Sequence, residues 1–172
     1  SMSFLENFPK HKVTHILICH KHSCHIGDIR NLAKKLKDKY NNKVEVMCSK
    51  KDRFPGLTKA VKDKQIITID NLRITVFATP CHTLGSLCYF VEDTDYLNVP
   101  NDPSLITPNG SECYRCLFSG CTHFVGGCGK FVEGNGAMML ANLDMIAKLP
   151  KDTFVFPSHD YTIKNLTWAM GI

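Results

Sequence analysis

A dense cluster of histidine and cysteine directly after an apolar run is the strongest constraint in the sequence. Residues 13–19 are rich in β-branched side chains and predict a strand, and His20-Lys-His-Ser-Cys-His25 follows it. Because a strand end is rigid, residues 20 and 22 can point to one centre while residues 24 and 25 point to a neighbouring one. Nitrogen and sulfur donors at this density are typical of zinc or iron sites. The cluster therefore predicts a metal site.

Three later segments each carry one further donor beside glycine or proline. These residues let the backbone turn sharply and hold the donor toward a common centre. Taken singly, His82 and His159 are explained equally well as ordinary turn residues. Together with the first cluster, they predict that separated loops converge on one pocket. The segments are Thr79-Pro-Cys-His82-Thr-Leu-Gly85-Ser, Phe118-Ser-Gly-Cys121-Thr and Phe156-Pro-Ser-His159-Asp-Tyr161.

The pattern along the chain predicts one layered α/β domain over residues 1–172. Asp28 is placed to cap a helix with apolar residues at three- and four-residue spacing, and Asp70-Asn71 suits a tight hairpin turn. Hairpins outnumber strand-helix-strand crossovers, which favours a sandwich over a doubly wound sheet. Residues 92–113 are rich in Asp, Asn, Pro and Ser and predict a loop insertion. The other predicted strands are 44–48, 64–69, 72–78, 87–91, 114–119 and 153–156, and the predicted helices are 3–10, 28–40, 137–149 and 162–170.

Two of the motifs are more specific than the histidine cluster. They are Gly127-Cys-Gly-Lys-Phe131 and His159-Asp-Tyr-Thr-Ile, and with the segments above they resemble glyoxalase II, the hydroxyacylglutathione hydrolase family of the metallo-β-lactamase superfamily. The resemblance runs from about Val13 to Ala169. It implies a four-layer αββα sandwich that here lacks the usual first strands and the C-terminal helical domain.

The resemblance also implies two neighbouring metal sites. Three histidines match the ligands of a first metal, and two match ligands of a second. Cys24 and Cys121 stand where the family has one aspartate for the second metal and one that bridges both metals. The implied ligands are His20, His22 and His82 for the first site, and Cys24, His25, Cys121 and His159 for the second site and the bridge.

Three further positions match family residues that hold the glutathione part of a substrate. They are Gly129, Lys130 and Tyr161, whereas Val132 stands where the family has an aromatic residue. The implied activity is metal-dependent hydrolysis of a glutathione thioester such as S-lactoylglutathione to a hydroxy acid and glutathione, as in methylglyoxal detoxification. The family uses metal-activated water and no side-chain nucleophile. The expected cofactor is one or two zinc ions, with iron or manganese as alternatives.

The two cysteines leave several alternatives open. Thiolate donates more charge to zinc than carboxylate does, so we expect a weaker Lewis acid and slower hydrolysis. Without metal, Cys24 and Cys121 are candidates for a disulfide. A second hypothesis is an inactive relative that binds glutathione conjugates or a protein, and a third is a glutathione persulfide dioxygenase. Cys113 and Cys116, with Cys121 and His123, are a weaker candidate for a separate zinc site.

Charge and cysteine usage limit partners and compartment. The formal charge of +5 arises mainly from lysines between residues 34 and 64, a pattern typical of a solvated helix face, so we expect no nucleic-acid partner. No apolar run approaches the roughly 20 residues of a membrane span.

Nine cysteines is an odd number, which favours a reducing compartment, so we expect a cytoplasmic protein, with a mitochondrion or another organelle as alternatives. A homodimer is the expected assembly if strand edges are exposed. The cysteines outside the proposed sites are interpreted as small buried hydrophobes, namely Cys19, Cys48, Cys81, Cys88 and Cys128.

Overall fold

The computed structural model of the protein describes residues 11–97 and 114–171, which form two β-sheets flanked by helices. In the described part the strands are β1 (His15–Leu17), β2 (Glu45–Ser49), β3 (Lys59–Val61), β4 (Ile66–Ile69), β5 (Leu72–Ala78), β6 (Leu87–Asp93), β7 (Arg115–Gly120) and β8 (Phe154–Pro157). The helices there are α1 (Ser23–Ile26), α2 (Ile29–Tyr40), α3 (Thr94–Leu97), α4 (Gly136–Ile146) and α5 (Thr162–Ala169).

The two sheets differ in strand direction. Sheet A has the order β1-β2-β3 and is parallel throughout. Sheet B has the order β4-β5-β6-β7-β8, and its pairs are antiparallel except for the parallel pair β7 and β8. In the described ranges, none of the helices has the length and apolar character needed to cross a bilayer.

Alternating side chains build the core between the sheets. Successive residues of a strand point to opposite faces, so Met47 of β2 faces sheet B while its neighbours Val46 and Cys48 belong to a different cluster. Each Å² of apolar surface that this inner layer removes from water stabilises the fold by about 25 cal/mol, and this burial holds the two sheets together. The buried inner residues are Met47, Val61, Ile67, Ile74, Val76, Leu87 and Tyr89.

The outer faces of the sheets are apolar where they are covered. Val46 and Cys48 pack with Ile29 of α2, and Leu32 and Ala33 of that helix lie against the same cluster. On the far side of sheet B, Cys88, Phe90 and Leu117 pack against Ile146 and Leu149, at and just beyond the end of α4. These contacts place a helix outside each sheet and give the αββα layering that the sequence predicted.

Most predicted elements occur within one or two residues of their expected bounds. Asp28 caps α2 by accepting a hydrogen bond from the Asn31 backbone at 3.4 Å. β3 and α1 were not predicted, because they are too short to show a period. Of the predicted 92–113 loop, the first two residues belong to β6 and the next four form α3, and the rest lies outside the described residues, as does the 3–10 helix.

The ends of four strands meet at one edge of the sandwich. β1, β5, β7 and β8 each lead into one of the donor segments. Ala78 pairs with Leu87, and the Leu87 backbone N–H donates to the Cys19 carbonyl at 2.9 Å, which ties sheet B to the residue before His20. This edge therefore collects the predicted metal ligands.

We expect Tyr89→Phe to lower the free energy of unfolding by about 1 kcal/mol. The Tyr89 side chain is buried between the sheets, and its hydroxyl donates to the Ile18 carbonyl at 2.9 Å. The matched control is Tyr40→Phe, because the Tyr40 hydroxyl is buried with no hydrogen-bond partner and its loss should be neutral or slightly stabilising. Urea unfolding of both variants tests the difference, and equal destabilisation would contradict it.

Candidate metal centre

Three imidazoles form a compact triangle at the edge of the sandwich. The ring centroids of His20, His22 and His82 lie 4.7–4.8 Å apart, with adjoining rings nearly perpendicular. His22 Nδ1 and His82 Nε2 are 3.0 Å apart. His20 is fully buried, and within residues 11–97 and 114–171 neither of its ring nitrogens has a hydrogen-bond partner. These three residues, called the first cluster below, offer nitrogen donors to a common point.

A second group of donors adjoins the first cluster. The donor atoms of Cys24, His25 and His159 lie within 4.8 Å of one another. Cys121 links the two groups, because its sulfur, His20 and His25 also lie within 4.8 Å of one another, with 3.5 Å between Cys121 Sγ and His25 Nε2. Cys24, His25, Cys121 and His159 are called the second cluster. All seven residues predicted as metal ligands lie in the two clusters, and their role as ligands stays a prediction.

Local structure explains how the donors are presented. Residues Ser23–Ile26 form the single turn α1, which turns His25 back toward His20, and the ring centroids of those two histidines are 3.9 Å apart. A cavity of about 430 Å³ adjoins Cys24 and His25. Cys24 is exposed and Cys121 is buried, so the second cluster extends from the interior to the surface.

Burial and crowding favour the unprotonated form of His20, His22 and His25. Burial, followed by repulsion from His25 and His82, lowers the pKa of His20 from 6.5 to about 3. Burial, followed by repulsion from His159, lowers the pKa of His25 to about 4. The pKa of His22 is also lowered, chiefly by burial. At neutral pH these rings therefore carry lone pairs that are available to a cation.

Burial shifts the pKa of the Cys121 thiol in the opposite direction to that of the imidazoles. Burial raises its pKa, and a hydrogen bond with Ser158, 3.2 Å from the sulfur, partly offsets that effect. Without a cation, Cys121 is therefore a neutral thiol. A metal ion at this point would favour the thiolate, because binding of the metal to sulfur releases the thiol proton.

Backbone groups hold the donors from behind. His82 Nδ1 lies 2.7 Å from the Lys130 carbonyl oxygen, so this nitrogen donates a hydrogen bond. The other ring nitrogen, Nε2, faces His22 within the first cluster. The Gly129 backbone N–H donates to the Cys121 carbonyl at 2.9 Å, and a Cβ on Gly129 would lie 2.3 Å from that oxygen. Gly129 thus has a packing role at the second cluster, and its predicted contact with substrate stays a prediction.

The other predicted substrate residues lie near the second cluster or at the surface. Tyr161 stacks on His159 with ring centroids 5.5 Å apart and also meets the edge of Phe124. The Lys130 side chain is exposed. Asn165 donates to the Val125 carbonyl at 3.0 Å, which fixes the loop before Lys130 against α5.

The weaker predictions have mixed outcomes. Among the described residues, neither Cys116 nor His123 is in a metal-ligand cluster, and Cys113 lies outside those residues. The sulfurs of Cys24 and Cys121 are not joined in a disulfide. Among the cysteines interpreted as small hydrophobes, the buried ones are Cys48, Cys81 and Cys88, and the half-buried ones are Cys19 and Cys128.

The residues that hold the two clusters in place were not predicted from the sequence. Asp52 is fully buried and Glu133 is paired with Lys21, but both occur in polar turn segments that look solvated in the sequence. Ser158 was visible only as the residue before His159. No periodicity or motif marks a buried carboxylate that is brought in from a distant turn.

The amino-acid sequence is similar to those of known hydrolases. No family model matches the chain. The chain is 31% identical over 171 residues to a hydroxyacylglutathione hydrolase of Pseudomonas savastanoi pv. phaseolicola, covering 99% of this chain and 57% of the relative. It is 33% identical over 159 residues to a hydroxyacylglutathione hydrolase of Dictyostelium discoideum, covering 92% of this chain and 52% of the relative. The chain thus spans just over half the length of both.

A solved structure agrees with the layering. The metallo-β-lactamase of Staphylococcus aureus subsp. aureus COL superposes with a TM-score of 0.69 at 21% identity, covering 92% of this chain and 45% of that chain. At this identity the likeness concerns the fold alone. The chain therefore has the metallo-β-lactamase fold and is glyoxalase II-like in sequence.

Proposed function

We propose that the chain is a metal-dependent hydrolase that cleaves glutathione thioesters such as S-lactoylglutathione. The observation that carries the proposal is the convergence of five imidazoles and two thiols from four separate segments at one edge of the sandwich. The sequence similarity to hydroxyacylglutathione hydrolases supports the substrate class.

The donor set fits a metal ion. Both nitrogens of His20 are buried without a partner, which is unfavourable unless another group uses one of their lone pairs. Three neutral imidazoles with one open position are the ligand set of many catalytic zinc sites. His20, His22 and His82 would hold that ion. A bound zinc ion acts as a Lewis acid that makes water a nucleophile at neutral pH and draws charge from a carbonyl oxygen.

The second cluster would have a different role. Zinc sites with two cysteines and two histidines are usually closed, structural sites, and Cys24, Cys121, His25 and His159 supply that combination. Thiolate lies about 2.3 Å from zinc and donates more charge than carboxylate, so this ion would be the weaker Lewis acid. We infer that the first cluster provides the catalytic ion and that hydrolysis is slow.

Residues beside the two clusters suit the glutathione part of the substrate. Glutathione carries carboxylates, and the exposed Lys130 offers a cation while the Tyr161 ring, 47% exposed, offers an apolar face and a hydroxyl. Because Tyr161 stacks on His159, a substrate bound there would place its thioester close to the metal ligands.

The two thiols favour one alternative, a protein that keeps the fold for binding and does not hydrolyse. In that case glutathione conjugates would bind equally well after His20→Ala and His22→Ala, since the metal would be irrelevant. Isothermal titration with S-hexylglutathione distinguishes the alternatives. Iron as the only metal in freshly purified protein would instead favour the persulfide dioxygenase hypothesis.

We expect purified protein to release thiol from S-lactoylglutathione, and a chelator to abolish the release. His82→Ala should do the same, because it removes one of three donors in the first cluster. His15→Ala, outside the clusters, is the matched control and should retain activity. Thiol release is followed with a chromogenic disulfide reagent, and metal content by elemental analysis. A protein with full metal occupancy and no turnover would refute the proposed function.

We expect the double change Cys24→Asp and Cys121→Asp to raise kcat severalfold. Carboxylates donate less charge than thiolates, and Cys121 also lies within 4.8 Å of His20 of the first cluster, so the catalytic ion would become a stronger Lewis acid. The matched control is Cys24→Ser with Cys121→Ser, which removes both sulfurs without adding carboxylates and should not raise kcat. Cobalt-loaded protein provides a second measurement, because the sulfur-to-cobalt charge-transfer band of the wild type should disappear in both pairs. An unchanged spectrum would show that the thiols are not ligands.

We expect Lys130→Ala to raise KM roughly 10-fold with little change in kcat. A hydrogen bond between charged groups contributes about 1.5–3 kcal/mol, and solvent exposure of Lys130 favours the lower end. Lys148→Ala, an exposed lysine just after α4, is the control and should leave both constants unchanged. Steady-state kinetics with S-lactoylglutathione separates the two constants. A fall in kcat alone would argue against a substrate contact.

A further inference from the structure

Two carboxylates outside the metal clusters connect the loops that carry the first cluster. Asp52, in the turn after β2, is fully buried. Its Oδ2 accepts a hydrogen bond from the Lys21 backbone N–H at 2.9 Å and another from the Thr83 hydroxyl at 2.6 Å. Lys21 lies between the ligands His20 and His22, and Thr83 follows the third donor directly. One carboxylate oxygen therefore connects the two loops.

Glu133 makes a second connection between the same loops. Its Oε1 accepts from Lys21 Nζ at 2.6 Å, and its Oε2 accepts from the Leu84 backbone N–H at 2.6 Å. The Glu133 backbone N–H donates to the Cys81 carbonyl at 3.2 Å, on the other side of His82. The hydrogen bond with Lys21 lowers the pKa of Glu133 and raises that of Lys21, so the pair is ionised.

Asp52 needs a glycine beside it, and its buried carboxylate is incompletely paired. A Cβ on Gly85 would lie 2.4 Å from the Asp52 carboxylate carbon, so only glycine permits the close approach. Asp52 Oδ1 is buried without a hydrogen bond and has Lys21 Nζ at 3.7 Å. A buried carboxylate that is incompletely paired stabilises a fold less well than apolar packing does. This points to a role other than global stability.

We propose that Asp52 and Glu133 are positioning residues that fix the His20–His22 loop against the His82 loop, so that three imidazoles reach one metal ion. This inference rests on the proposed function, because it assigns a metal to the first cluster. The geometry supports it, since His22 Nδ1 and His82 Nε2 approach to 3.0 Å only if the two loops keep their separation. Groups that orient metal ligands typically change metal affinity by about 10- to 100-fold when they are removed.

The test compares the same threonine-to-valine change at two positions, one beside Asp52 and one outside the clusters. Thr83→Val removes the hydroxyl that donates to Asp52, and Thr83→Ser keeps it. Thr58→Val is the matched control, because the Thr58 hydroxyl also bonds within the fold, to the Val46 backbone, but lies outside the clusters. Zinc affinity is measured by competition with a chromogenic chelator, and His22→Ala identifies the zinc that the first cluster holds. None of these measurements uses catalytic activity.

We expect Thr83→Val to weaken the zinc of the first cluster about 10-fold or more, and Thr83→Ser to restore it. Thr58→Val should lose stability without losing affinity. If Thr83→Val and Thr58→Val bind that zinc equally, the positioning role is refuted while the proposed function stands. If wild-type protein binds no metal that His22→Ala removes, both proposals fail. Should Thr83→Val not fold, Glu133→Ala, at a partly exposed residue, is expected to weaken the same zinc, and unchanged affinity there would overturn the proposal.

Discussion

The arrangement of the site centres on a buried imidazole that has no hydrogen-bond partner among the described residues. His20 is fully enclosed, and both of its nitrogens lack a hydrogen bond. Protonation would place a charge in a buried position beside four other imidazoles, and the low pKa of about 3 reflects burial first and that repulsion second. A satisfied core histidine would donate and accept within the chain. His20 does neither, and a cation at the first cluster is the group that would use its lone pair.

The sandwich makes this arrangement by topology rather than by local preference. Four strands from two sheets end at one edge, and each connection carries donors of one or two types. Tyr89 and Leu87 hold sheet B to the last residues before His20, through the Ile18 and Cys19 carbonyls. Errors in sheet packing would therefore reach the donors directly. The core between the sheets and the two clusters therefore depend on the same backbone contacts.

The sequence indicated which histidines and cysteines converge but not which residues hold them in place, for a physical reason. Histidine and cysteine after strands, with glycine or proline beside them, seldom serve packing alone, so the convergence of residues 20–25, 82, 121 and 159 was visible. Asp52, by contrast, is a charged residue in a lysine-rich turn, and its burial depends on a contact with Thr83 that is 31 residues away. The Lys130 carbonyl that orients His82 was equally hidden, because a backbone oxygen leaves no mark in the sequence. The short strand β3 escaped because three residues show no alternation.

Sulfur in the second cluster explains why the two halves of the centre need different support. Thiolates bind zinc strongly by themselves, and Cys121 is already held by Ser158 and by the backbone contact with Gly129. The first cluster offers only imidazole nitrogens, which attract a cation less strongly than thiolates do and therefore depend more on being held in place. The two carboxylates lie on the side of the centre where that need is greatest. This asymmetry suits the proposed centre, in which one ion would be fixed by its ligands and the other by the loops that present them.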